Sequence, residues 1–137
     1  MTSKLILIKN GNVIDGTGQP SYKSDILISE DKIIEIGKFN KLNDVDIIQA
    51  DGLSVTPGFI DIHSHSDFTL LIDPRAVSSI SQGVTTEIIG NCGYGCNPIQ
   101  NPLLAKEAIY GFRNDFTIDW SDMNGYLERL EKNNPSV

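Results

Sequence analysis

His63 and His65 are the chain's two histidines, and one residue separates them. On a strand that spacing sends both rings out from one face. Asp61 follows the same alternation and falls on that face. Neutral imidazole is the commonest protein ligand for zinc-like metals, so two rings on one face make half of a metal site. A pair of solvated or hydrogen-bonded histidines at a strand end fits the same spacing. Cys92 adds a third donor. It stands between Asn91 and Gly93, just past a second strand-like run, where a thiolate would point toward the histidines. His, His and Cys suit Zn²⁺ and leave a position open for catalysis. A thiolate can also bridge two metals, because sulfur keeps lone pairs after its first bond. The competing reading makes Cys92 a buried, inert small hydrophobe.

The neighbouring side chains offer less. Asp61 could orient an imidazole, or bond the backbone at the strand end. Asp67 suits a cap for the next segment. Glu87 lies inside the second strand and could pair with Arg75. None of the three reads as the catalytic base. Ser64 and Ser66 have no base to activate them while both histidines bind metal, which argues against a serine nucleophile. Cys96 is spaced more widely from Cys92 than a C-x-x-C redox pair and reads as incidental. Gly90, Gly93 and Gly95 resemble a phosphate loop, but no G-x-x-x-x-G-K-[ST] is present.

These residues need a scaffold, and the pattern supplies two kinds. From Lys4 to about Gln49 it is β: Leu5–Ile8, then a tight turn at Asn10-Gly11-Asn12 opening a strand at Val13-Ile14. Asp25–Ser29, Ile33–Ile36 and Val45–Ile48 follow, with turns between them. Short strands at close spacing predict a small sheet or sandwich. Pro57-Gly58 then leads into Phe59, Ile60 and Ile62, a short buried strand carrying the histidines. Asp73-Pro74 reads as an N-cap with proline in the first turn, opening a helix through Ala76, Val77 and Ile80 to Gly83. Val84–Ile89 is a β-branched strand. A helix is expected over Leu103–Tyr110. Another, capped by Ser121, runs to Lys132 with Met123, Tyr126, Leu127 and Leu130 on one face. Strand, helix, strand, helix is the order of a parallel sheet, whose chemistry gathers at the C-terminal strand ends.

The composition narrows the class. The chain has 137 residues, 39% of them hydrophobic, enough for one ordinary domain with a core. Eleven basic residues against 18 acidic ones give −7, which argues against nucleic acid and anionic membranes as partners. Leu5–Ile8 is too short an apolar run for a signal peptide or a membrane span, so a cytoplasmic location is expected.

At these residues the chain resembles a known family. Pro57-Gly58-Phe59-Ile60-Asp61 followed by His63-x-His65 is similar to the amidohydrolase superfamily. Ser81-Gln82-Gly83-Val84-Thr85-Thr86, then Gly90-Asn91-Cys92-Gly93, resembles its D-aminoacylase branch, the N-acyl-D-amino-acid deacylases. The resemblance implies an α/β fold: a small β-sandwich domain over residues 1–56, then from 57 to 137 the first two βα units of a (β/α)₈ TIM barrel. A complete barrel takes about 250 residues. The chain is therefore expected to be the N-terminal portion of a longer enzyme, with its aspartate base beyond Val137. The resemblance further implies Zn²⁺ held by His63, His65 and Cys92. Water activated by the metal would cleave the amide bond of an N-acyl-D-amino acid. Two other readings stand beside it: a non-catalytic folded module, and an amidohydrolase acting on cyclic amides or dipeptides. Uncovered barrel edges would favour self-association.

Overall fold

The computed structural model describes residues 5–108 and 116–137. The chain divides into two compact units, Met1–Pro57 and Gly58–Val137. In the first, β1 (Leu5–Val13), β2 (Tyr22–Ser29), β3 (Lys32–Gly37) and β4 (Val45–Gln49) lie in the order β3-β2-β1-β4. β5 (Ser54–Val55) pairs with the far end of β1. β1 is antiparallel to β2 and parallel to β4. Leu7, Val13, Ile26, Leu27 and Ala50 form the buried apolar set. These strands make a single sheet; the second layer of the expected sandwich is not among the described residues.

Asn10-Gly11-Asn12 is not a turn. β1 runs through it as a bulge, with the register shifting between Ile8 and Gly11 and Asn10 at φ 62°. The Asn10 N–H donates to Asp25 Oδ1 at 2.8 Å. Gly11 is needed for space, since a Cβ there would lie 2.5 Å from Val55 Cγ2. Asp25 holds this corner together. It is 1% exposed, accepts from Phe39 N–H at 3.1 Å and faces Lys38 Nζ at 3.5 Å. Burial pushes its carboxyl up, but the bonds from Asn10, Phe39 and Lys38 outweigh that and hold it below the ordinary range. A carboxyl lowered by folding stabilises the fold above its unfolded value near pH 4 and stops doing so as pH falls through its folded value. The urea midpoint of the first unit, followed by the Leu7 and Ile26 amide signals, should therefore fall as pH drops below about 4. Asp25→Asn should remove most of that dependence; an equally steep acid loss in the variant would contradict it.

The second unit alternates strand and helix. β6 (Phe59–Asp61) pairs in parallel with β7 (Val84–Glu87), and between them lie two four-residue helices, α1 (Thr69–Ile72) and α2 (Val77–Ile80). Gly58 lets the strands approach, because a Cβ there would sit 2.7 Å from Thr85 Cβ. Asp73-Pro74 does not open a helix. Asp73 is the C-cap residue of α1, and its carboxylate is taken by the backbone and guanidinium of Arg75. α2 starts only after Ala76, which is left-handed at φ 46°. α3 (Pro102–Ala108) begins one residue before the expected helix, whose end at Ile109 and Tyr110 lies outside the described residues.

α4 (Met123–Asn133) is capped by Asp122 rather than Ser121, with the Asp122 side chain accepting from Gly125 N–H. Of its expected apolar face, Tyr126 is buried and Leu130 partly buried, while Met123 and Leu127 stay exposed. The core of this unit joins Leu71, Cys96, Ile99, Phe116, Ile118, Trp120 and Tyr126. Cys96, which the spacing left without a role, is a core residue at 2% exposure whose carbonyl accepts from Trp120 Nε1 at 2.7 Å. Among the described residues no helix is long and apolar enough to cross a membrane.

Candidate metal centre

The site forms where β6 and β7 run out. β6 ends at Asp61, so His63 and His65 lie beyond the strand rather than on it. The ladder nonetheless carries on past both strands: Ile88 N–H donates to Asp61 O at 2.8 Å and Ser64 N–H to Ile88 O at 3.1 Å. This extension keeps the histidine segment beside the chain that leads to Cys92. Ser64, between the histidines, is buried, while both histidines are exposed. Their ring centroids stand 5.4 Å apart at 63°.

Cys92 sits in a 3₁₀ turn, Asn91–Gly93, with φ values of 82° at Gly90, 55° at Cys92 and 79° at Gly93. Glycine takes that region freely, whereas cysteine occupies it at a steric cost, so the turn must be held from outside. The Asn91 side chain does part of this, donating to Ser64 O at 3.1 Å and Ile88 O at 2.7 Å. The outcome is close approach: His63 Nε2 and Cys92 Sγ are 3.2 Å apart. One donor atom from each of His63, His65 and Cys92 lies within 4.8 Å of the others. Zinc bonds of about 2.0–2.3 Å at tetrahedral angles separate ligand atoms by roughly 3.3–3.8 Å, so the donor set suits a zinc ion in chemistry and comes within about 1 Å of the span it needs.

Of the nearby carboxylates, Asp61 follows one of its two sequence readings and bonds the backbone at the strand end, while Glu87 and Asp67 take places the sequence did not indicate. Asp61 Oδ1 accepts from the backbone N–H of His63 at 3.0 Å and does not orient an imidazole. Glu87 does not pair with Arg75. It accepts from Ser64 Oγ at 3.0 Å and from Ser79 Oγ, tying the histidine segment to α2. Asp67 caps no helix. It is 1% exposed, and its Oδ1 accepts from Gly90 N–H at 2.9 Å. Burial raises its carboxyl above the ordinary range by more than that bond lowers it. Tyr94, unremarked in the sequence, lies edge-on to His65 with centroids 5.6 Å apart. Its only sequence signal is its place directly after Gly93.

The model of the amidohydrolase family matches residues 46–132, more than half of the chain and both strands of the site. The chain belongs to the amidohydrolase family. Among its relatives, the N-acyl-D-aspartate deacylase of Alcaligenes xylosoxydans xylosoxydans is 39% identical over 93 residues, which are 68% of this chain and 19% of that one. The structure of a D-aminoacylase with a binuclear metal centre matches 96% of this amidohydrolase chain at a TM-score of 0.77 and 33% identity. N-acyl-D-glutamate deacylase from Bordetella bronchiseptica, complexed with zinc and a phosphonate inhibitor, matches 96% at a TM-score of 0.78 and 29% identity. Both comparisons use 28% of the larger chain. This chain therefore spans about a fifth to just over a quarter of the length of these relatives, and its α/β fold matches that part of the D-aminoacylase structure.

Proposed function

We propose that this chain carries the first part of the active site of a cytoplasmic, zinc-dependent amidohydrolase that cleaves the amide bond of N-acyl-D-amino acids. The observation that carries the reading is the convergence of His63, His65 and Cys92 within 4.8 Å, in a chain of the amidohydrolase family. In this reading residues 1–56 belong to a β-sandwich domain. Residues 57–137 supply the first two βα units of a TIM barrel. Phe59, Ile60 and Ile62 support it, being 58%, 62% and 76% exposed as a strand would be before further strands and helices cover it.

Bound zinc would polarise the amide carbonyl and bring the ionisation of water toward neutral pH. The chain's own part is to hold that centre. His63 offers Nε2, the ring atom nearest Cys92. Cys92 would hold the ion through its sulfur, as a thiolate. Asp61 fixes the backbone at His63, and Glu87 fixes Ser64 between the two histidines. Asp61 and Glu87 are committed to contacts that shape the site and Asp67 is buried, so in this reading the base comes from the rest of the barrel. The full-length protein carrying these residues should release amino acid from N-acetyl-D-amino acids in a zinc-dependent way and spare the L-isomers. Equal rates on both isomers, or preferred hydrolysis of a cyclic amide, would refute the deacylase reading.

A further inference from the structure

Cys92 is held left-handed at a steric cost between two left-handed glycines, yet it must stay within reach of the histidines. The residues that hold the turn belong to the histidine segment. Ser64 O takes the Asn91 amide, and Asp67 Oδ1 takes the Gly90 N–H. Asp67 is the more committed of the two. It is 1% exposed, its Oδ2 is buried with no hydrogen-bond partner, and its backbone carbonyl is fixed by Tyr126 Oη at 2.9 Å. Leaving a carboxylate oxygen buried and unpaired lowers stability, so packing alone does not account for the residue. We propose that Asp67 is a positioning residue of the metal centre: its buried carboxylate, gripping the Gly90 N–H, holds the Cys92 thiol against His63.

The proposal rests on the metal reading above but acts through a bond that exists without metal. A nearby group that fixes a ligand's backbone tunes metal affinity much as one that fixes a ligand's ring does. Tyr126 gives the device a fixed base, since its buried hydroxyl ties Asp67 to α4 and the unit's core. The histidines and the cysteine would thus be set by one carboxylate against one frame.

Two near-isosteric substitutions separate positioning from packing. Asp67→Asn keeps an oxygen for the Gly90 N–H; Asp67→Leu keeps the bulk and removes the acceptor. In the metal-free chain, nuclear Overhauser contacts between the Cys92 β protons and the His63 ring should persist in D67N and vanish in D67L. D67L should stay folded, because the unpaired buried carboxylate oxygen is gone and water can take the N–H of exposed Gly90. With Co²⁺ as the probe, the thiolate-to-cobalt charge-transfer band should remain in D67N. In D67L cobalt affinity should drop about 10- to 100-fold. Retention of the Cys92–His63 contact in folded D67L would overturn the proposal, and so would its loss in folded D67N, which decides the matter should D67L fail to fold. Absence of a thiolate band in the unchanged chain would refute the metal reading, while the metal-free contacts still judge Asp67.

Discussion

Replacing Cys92 by alanine in the full-length protein should remove most of its bound zinc and nearly all of its hydrolysis while leaving the fold in place. The thiol is one of three donors that meet at the strand ends, and alanine offers no lone pair there. Metal stabilisation of transition-state charge amounts to several kcal/mol, which at about 1.4 kcal/mol per factor of ten makes a loss of roughly three orders of magnitude in kcat/KM. Stability should change little. Cys92 is exposed, it packs into no core, and alanine meets the same steric cost at φ 55° that cysteine already meets. Zinc content per chain, kcat/KM and melting temperature should therefore separate cleanly. A Cys92→Ala protein with its zinc and rate intact would show that the thiol is not a ligand. One that unfolds would return Cys92 to a structural role.

What the sequence revealed follows from the range of the interactions involved. The β-rich first unit was legible because alternation and turn residues are local signals. The parallel β6–β7 pair was legible from strand–helix order. Asn10-Gly11 misled because the same dipeptide suits a hairpin turn and a left-handed bulge. What decides between them is Asp25, fifteen residues away. Asp73-Pro74 misled because Arg75 claims the carboxylate that would have capped a helix. Four-residue α1 is too short for any periodicity to show.

The site divides in the same way. Donor types and spacing singled out His63, His65 and Cys92 from local sequence. The partners of the surrounding carboxylates could not be read, because each that matters lies across the β6–β7 boundary. Asp67 meets Gly90 over 23 residues and Glu87 meets Ser64 over 23 residues. Only the paired strands bring such residues together, and a single sequence carries no record of that pairing. Cys96 shows the converse: its spacing from Cys92 was a chemical distraction, and its true partners are the aromatic residues of the core.

Residues 1–137 alone should show no zinc-dependent turnover of N-acetyl-D-amino acids, whereas the full-length protein should. Amide hydrolysis at a metal needs an activated water, a polarised carbonyl and a proton shuttle held together away from bulk solvent. His63, His65 and Cys92 are all exposed, so they can hold an ion but cannot shield it. Each carboxylate at the centre is already engaged: Asp61 by the His63 N–H, Glu87 by two serine hydroxyls, Asp67 by Gly90. To serve as a shuttle, Asp61 or Glu87 would have to abandon the contact that shapes the site, and the unpartnered Oδ2 of Asp67 is buried. The exposed apolar side chains of Phe59, Ile60 and Ile62 would also favour association between isolated chains, covering the site rather than opening it. The measurement is a side-by-side assay of both forms with added zinc, the short chain checked for assembly by light scattering. Turnover by residues 1–137 near the full-length rate would sink the idea that the base lies elsewhere, and would send the search for it to Asp61, Asp67 and Glu87.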